Sequence, residues 1–257
     1  ADAHRATGVP VLVVGRGSNL LVADAGFAGI AVSVARLAGD IAVDAATAVV
    51  TAGGGVALPV LARRTAAAAL TGFEWAVGVP GSVGGAVRMN AGGHGSDMAA
   101  CLLDATVFDL ATGATTTHPT RALGLRFRAS ALGPQQVVLA ARLQLAPGDR
   151  GTAESTIADI VRWRREHQPG GQNCGSVFVN PVPGAVAAGA LIEAAGLRGT
   201  HYGTACVSPK HANFIQASDG GTAADVRTAI ETVRARVAEA TGYVLRSEVR
   251  MVGFADE

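Results

Sequence analysis

Three glycine-punctuated segments and three ionisable residues carry the side chains of this chain that could do chemistry. Gly15-Arg16-Gly17-Ser18-Asn19-Leu20-Leu21 follows an apolar run. Two glycines let backbone approach a ligand, successive N–H groups in such a turn make an anion nest, and Ser18 and Asn19 add polar groups. An ordinary strand-exit turn has the same composition, and no GxGxxG opens a helix here, so this is not the dinucleotide fingerprint. Gly78-Val79-Pro80-Gly81-Ser82-Val83-Gly84-Gly85-Ala86 runs on to Met89-Asn90-Ala91-Gly92-Gly93. So many residues without side chains suit backbone packed against a large flat or phosphorylated ligand, or a glycine turn beneath a small sheet. In Asn173-Cys174-Gly175-Ser176-Val177-Phe178, Ser176 could be a nucleophile, a proton donor or a capped turn; the GxSxG elbow is absent. Arg126 and Arg128, two apart on a strand, share a side, which is costly unless an anion sits there; solvation at the surface is the alternative. Glu248 lies in a terminal apolar run, exposed by alternation unless burial gives it a partner.

The remaining reactive residue types exclude more than they suggest. His201 and His211 lie ten apart beside Lys210 and make no metal pattern. Cys101, Cys174 and Cys206 are odd in number with no CxxC, which fits a reducing cytoplasm and offers no zinc knuckle. Twenty-one Lys and Arg against 20 Asp and Glu speak against a general nucleic-acid or membrane-surface binder. The long uncharged stretches Ala45–Ala62 and His167–Ile192 contain Gly53-Gly54-Gly55, Pro59, Pro169 and Pro181, so neither can span a membrane as one helix.

The elements that must position these residues are short in the first half. With 257 residues, 49% of them apolar and 16% charged, the chain supports a full core. Val11–Val14, Ile30–Val34 and Ala48–Ala52 read as strands, Leu58–Leu70 as a helix stopped by Gly72. Asp104–Leu110 and Ala114–His118 flank Thr112-Gly113 as a hairpin. Gln136–Leu145 alternates, with Val137, Leu139, Ala141, Leu143 and Leu145 on one face. Texture changes at Pro147-Gly148-Asp149-Arg150, which sets an expected boundary between domains 1–149 and 150–257. Ser155–His167 reads as a helix, and Thr222–Thr241 has apolar residues at 226, 230, 233 and 237, Thr222 with Asp225 as a capping box and Gly242 as its stop. The opening Ala-Asp-Ala-His-Arg-Ala-Thr-Gly reads as the tail of a helix entering a strand, so an upstream portion is expected to be missing.

Taken in order, GRGSNLLVADAGFAG, GVPGSVGGAVRMNAGGHG, FRAS, QPGGQNCGSVFVNP, LIEAAGLRGTHYGTACVSPKHANFIQ and LRSEVR closely resemble the UDP-N-acetylenolpyruvoylglucosamine reductase family, in its shorter type. The resemblance runs from about residue 9 to 253. It implies an α+β protein: an FAD-binding domain of the vanillyl-alcohol-oxidase/CO-dehydrogenase flavoprotein type, its N-terminal part missing, then a smaller α+β substrate-binding domain. It implies FAD as cofactor, NADPH as co-substrate and UDP-N-acetylglucosamine enolpyruvate as substrate, in the cytoplasmic synthesis of peptidoglycan precursors, with a monomer expected.

By the same resemblance the turn Gly15, Arg16, Gly17, Ser18, Asn19, Leu20 and Leu21 holds the FAD pyrophosphate. Val79, Pro80, Gly81, Ser82, Gly84, Gly85, Ala86 and Asn90 line the flavin. Arg128, Ser176 and Glu248 align with the catalytic residues. Those roles suit the chemistry. Reducing an enol ether leaves negative charge delocalised into the carboxylate, which Arg128 could stabilise, while Glu248 polarises the enolpyruvyl group and Ser176 delivers a proton to the carbon bearing the carboxylate. Arg164 or Arg165 is expected at the UDP diphosphate, with Asn180 and Lys210 as further substrate contacts. Val179 and Arg246 stand where the family commonly has lysine and glutamate, so substrate contacts there are expected to differ. The competing readings are a related FAD oxidase, a truncated UDP-sugar-binding remnant, and a serine hydrolase built on Ser176.

Overall fold

The computed structural model describes residues 1–37 and 39–254. They form two compact units, Ala1–Gly17 with Ala28–Arg164, and Ser18–Phe27 with Arg165–Glu257. The composition change at 149 marks the start of a helix: the Asp149 carboxylate accepts the Thr152 N–H at 2.8 Å, and the first unit keeps that helix as far as Arg164. The excursion of 18–27 into the second unit has no compositional signal.

In the first unit, helix α1 (Asp2–Thr7) stops on Gly8 at φ 66° and feeds the strand Val11–Val14, which pairs in parallel with Ile30–Ser33. An antiparallel sheet carries, in lateral order, Thr115–Pro119, Leu102–Asp109, Gln136–Gln144, Val49–Gly53 and Ile41–Asp44. The hairpin expected around Thr112-Gly113 is its outer pair. Arg142 and the nearly buried Asp104 face each other across two strands, the guanidinium Nε 3.0 Å from both carboxylate oxygens. Helix α2 (Leu58–Ala67) presses Leu58, Leu61, Ala62 and Ala66 onto the sheet's core and ends earlier than Leu70, the chain turning through Ala69 at φ 55°.

The single-face alternation read for Gln136–Leu145 does not survive the fold. A bulge between Val138 and Ala140 switches faces: Val138, Ala141, Leu143 and Leu145 enter the main core, while Val137 and Leu139 turn to a small cluster with Val34 and Leu110. Gly54 makes that bulge possible. Its N–H donates to Leu139 O at 2.7 Å, and a Cβ there would lie 1.9 Å from Val138 O. Gly54→Ala should therefore destabilise the protein by about 3 kcal/mol or more, since backbone cannot yield as a side chain does. A urea midpoint equal to wild type would sink this account.

Helix α3 (Val83–Met89) runs inside the glycine block, where the sequence suggests ligand-facing backbone or a turn and no helix; α4 (Arg150–His167) begins five residues before the periodic pattern does. Ser82 caps α3, its Oγ accepting from Gly85 N–H at 3.3 Å. A Cβ on Gly84 would stand 3.1 Å from Gly54 O and 3.3 Å from Val138 O, so this glycine lets helix backbone lie on sheet backbone.

The second unit has a four-stranded antiparallel sheet ordered Gln172–Asn173, Ile215–Ala217, Ala205–Val207 and His201–Tyr202, with Leu20–Val22 paired in parallel to Arg250–Val252 elsewhere. Helices α5 (Ala188–Ala194) and α6 (Ala223–Thr241) bury Ala188, Ile192, Val226, Ile230, Val233 and Val237 with Phe178, Val207, Ile215 and Leu245. Thr222 caps α6, accepting Asp225 N–H at 3.1 Å, and Gly242 closes it at φ 76°. Only half of the expected capping box forms, because the Asp225 carboxylate accepts instead from Thr204 N–H at 2.8 Å and Thr204 Oγ1 at 2.6 Å.

Hydrogen bonds from the Thr204 side chain and backbone hold the Asp225 carboxyl below its ordinary range, and those from Thr152 N–H and Oγ1 do the same for Asp149. The folded pKa values lie below the unfolded ones, so this stabilisation is full above the usual carboxylate pKa of about 4 and is lost as pH falls through the folded values. The melting temperature should hold from pH 7 to about 5 and fall below pH 4, with Asp225→Asn flattening part of the fall. A variant whose acid limb matched wild type would remove Asp225 from this account.

Candidate active site

In the first unit, Gly15 is a glycine because a Cβ there would meet Ser82 Oγ at 2.6 Å, the hydroxyl that caps α3. Arg16 and Gly17 beyond it are exposed, and Gly17 takes φ 69° with open space around its Cα. Among the described residues, no acceptor takes the backbone N–H of Arg16, Gly17 or Ser18. Consecutive unused N–H groups at a glycine turn fit the oxygens of a diphosphate, so the residues present suit the FAD pyrophosphate expected there. In the glycine block the side chains point to a different use. Ser82 is 1% exposed and occupied as a cap, and Gly84 serves packing, so any flavin contact from this pair would come through other atoms.

Asn90 is also turned inward. Its amide Nδ2 donates to Asp97 Oδ2 at 3.0 Å and to Arg126 O at 3.2 Å, and its Oδ1 accepts from Ala99 N–H at 2.9 Å. Both amide donors are therefore engaged within the protein, and one of them holds the segment that bears Arg128. That segment is not the strand expected of Arg126 and Arg128. Arg126 and Ala129 exchange backbone hydrogen bonds of 2.9 and 3.0 Å around a turn, so Phe127 and Arg128 form its tip and the two arginines do not share a strand face. Arg128 sits at φ 55°, its guanidinium 5.2 Å from the centre of the Phe127 ring. A bulky residue held in the left-handed region is strained, and such strain gathers at functional sites.

In the second unit, the segments that carry Ser176 and Glu248 are paired. Glu248 N–H donates to Val177 O at 2.8 Å, Ser247 pairs with Phe178, and Val179 N–H donates to Arg246 O at 2.9 Å, so 177–179 and 246–248 run antiparallel. Glu248 lies half-buried just before the strand Arg250–Val252 rather than within it. Ser176 follows Gly175, which takes φ 79° while its N–H donates to Asn173 Oδ1 at 3.0 Å. The Ser176 hydroxyl is half-buried and makes no hydrogen bond among the described residues.

Asn213, which the sequence did not single out, anchors this pair: its Oδ1 accepts Phe178 N–H at 2.9 Å, its Nδ2 donates to Phe178 O at 2.8 Å and its backbone O accepts Val177 N–H at 2.9 Å. A lone asparagine ahead of Phe214 carries no signal for this. Leu20 O accepts from Cys174 Sγ at 3.2 Å, and burial raises the Cys174 pKa, which favours the protonated thiol.

The expected substrate contacts separate in character. Arg164, in the first unit, is partly buried with no carboxylate partner among the described residues, and desolvation lowers its pKa. Near it, His94 stacks edge-on to Trp163 with ring centres 5.2 Å apart, and burial followed by the Arg164 charge lowers the His94 pKa, favouring a neutral ring. In the second unit, Arg165 is exposed and its carbonyl accepts from the Lys210 ammonium. Asn180 Oδ1 accepts Ala188 N–H at 3.0 Å, so its side-chain oxygen starts α5. Among the described residues, no group of three or more His, Cys, Asp or Glu is placed to hold a metal ion.

Known proteins resemble this arrangement along its length. The profile described as UDP-N-acetylenolpyruvoylglucosamine reductase, C-terminal domain, matches residues 167–252, and the one described as FAD binding domain matches residues 2–118. The UDP-N-acetylenolpyruvoylglucosamine reductase of Heliobacterium modesticaldum is 43% identical over 251 residues, 97% of this chain and 79% of that protein. The enzyme of the same name from Chloroflexus aggregans is 42% identical over 258 residues, 98% of this chain and 85% of that protein. The crystal structure of the Thermus caldophilus UDP-N-acetylenolpyruvylglucosamine reductase superposes with a TM-score of 0.83 at 33% identity, covering 98% of this chain and 89% of that one.

Proposed function

The chain belongs to the UDP-N-acetylenolpyruvoylglucosamine reductase family, and we infer that it reduces the enolpyruvyl ether of UDP-N-acetylglucosamine enolpyruvate to UDP-N-acetylmuramate for peptidoglycan synthesis, with FAD as cofactor and NADPH as reductant. When bound, FAD supplies the hydride-transfer chemistry, and the backbone of Arg16, Gly17 and Ser18 would hold its diphosphate. The observation that carries the assignment of roles is the pairing of Val177 O with Glu248 N–H, which brings a hydroxyl and a carboxylate far apart in sequence onto adjoining segments.

Conversion of the vinyl carbon to a methyl group leaves an electron pair on the neighbouring carbon, delocalised into the carboxylate. Arg128 balances that charge at the carboxylate, where a fixed cation needs no reorganisation as the charge develops. Ser176 Oγ gives its proton to the carbon that bears the carboxylate, forming the C–H bond and leaving an alkoxide that solvent reprotonates. A hydroxyl is a weak acid, so its effect comes from placement beside a strongly basic carbon. Glu248 polarises the enolpyruvyl group. Arg164 takes the UDP diphosphate in preference to Arg165, because a partly buried guanidinium with no carboxylate partner among the described residues gains most from an anion.

No helix among the described residues is long and apolar enough to cross a membrane. The proposal includes a cytoplasmic monomer whose partners are small molecules rather than nucleic acid or lipid. The purified protein should absorb near ~450 nm as flavoproteins do and oxidise NADPH only when the enolpyruvyl substrate is present. Colourless protein, or NADPH oxidation indifferent to that substrate, would overturn the assignment.

A further inference from the structure

Of the polar groups in the 15–21 turn, Asn19 has a partner that a cofactor role does not call for. Its Nδ2 donates to the backbone oxygen of Glu248 at 2.9 Å, and its own backbone oxygen accepts Arg250 N–H at 3.0 Å. The parallel pairing then continues with Leu20 opposite Arg250, Leu21 opposite Met251 and Val22 opposite Val252. Glu248 is thus gripped on both sides: its N–H by Val177 O at 2.8 Å, and its C=O by the Asn19 amide.

Those two bonds anchor the two peptide planes that meet at the Glu248 Cα. Because each plane is rigid, fixing both fixes φ and ψ of residue 248 and hence the direction in which its Cβ leaves the backbone. We propose that Asn19 is a positioning residue for Glu248: its side-chain amide, on the Glu248 carbonyl, sets the angle at which that carboxylate is presented beside the Ser176 segment. The residue type matters. An apolar side chain of the same shape cannot donate, a carboxylate would set an oxygen against the carbonyl, and glutamine is a methylene too long for the same approach.

This inference rests on the catalytic reading of Glu248. It separates Asn19 from Arg16, Gly17 and Ser18, whose unused N–H groups suit the diphosphate; the Asn19 amide is turned to the protein instead.

The test uses the FAD-loaded full chain with Asn19→Ala and the shape-matched Asn19→Leu, the second covering the chance that the first folds poorly. Native-state amide exchange at Glu248 should quicken about tenfold or more, while amides of the α6 core stay protected. FAD content should remain within about twofold of wild type and flavin reduction by NADPH within about threefold, while reoxidation by the enolpyruvyl substrate slows about 10- to 100-fold, the loss that a misplaced group produces. Unchanged exchange at Glu248 overturns the proposal, as does loss of FAD with both half-reactions falling together, which would make Asn19 a cofactor contact. Wild-type protein that holds FAD yet never turns over this substrate overturns the functional reading and the proposal with it. Wild-type turnover that both variants match overturns the Asn19 proposal alone.

Discussion

Ser176→Ala should leave NADPH-driven flavin reduction within about twofold of wild type and slow substrate reduction about 10²- to 10⁴-fold, the range that a positioned proton donor contributes. The asymmetry follows from where the hydroxyl stands. Its segment is held by other groups: Asn173 Oδ1 on Gly175 N–H, Asn213 on Val177 and Phe178, and Glu248 N–H on Val177 O. The Ser176 hydroxyl itself makes no hydrogen bond among the described residues, so its removal costs the fold little. Melting temperature should stay within a degree or two, about the shift of a few tenths of a kcal/mol in a chain of this size. Stopped-flow measurement of each half-reaction decides the matter, and a proportionate slowing of both would show that Ser176 is not the proton donor.

The second large effect belongs to Arg128, where activity and stability should part company. Both Arg128→Ala and Arg128→Gly remove the charge and should lower kcat about 10²- to 10³-fold, the loss seen when one preorganised stabilising group is deleted. Their stabilities should differ. At φ 55° alanine keeps the left-handed strain that glycine does not feel, so the glycine variant should be the more stable of the two by about 1 kcal/mol. Urea unfolding of the pair measures it. Equal midpoints would mean that the turn at 126–129 relaxes in the alanine variant, and full activity in either would remove Arg128 from the chemistry.

Whatever local pattern dictates was readable before the fold was known. The helix after Thr222, its cap and its Gly242 stop follow from period and end chemistry, and the hairpin around Thr112-Gly113 follows from its turn residues. The order of the glycine turn, the glycine block and the Gly175-Ser176 segment marks the family, to which the relatives and the matching crystal structure assign the chain. Helix α3 was hidden by its own glycines, which weaken helix propensity. It forms because Ser82 caps it and because Gly84 lets it lie against Gly54 and Val138. The face switch at Leu139 was hidden as well, since an extra residue in a strand shows only against the register of the strand it pairs with.

By itself the sequence determined which residues are available for the reaction, and in what order. Tertiary structure alone decided where the polar side chains go. Asn90 turns to the Arg126–Ala129 turn, Asn213 to Phe178, and Asn19 to Glu248, a residue 229 positions away. The physical reason is that an asparagine amide bonds equally well to any carbonyl within reach, so its identity says nothing of its partner. Only the packing that brings a distant carbonyl to about 3 Å makes the choice.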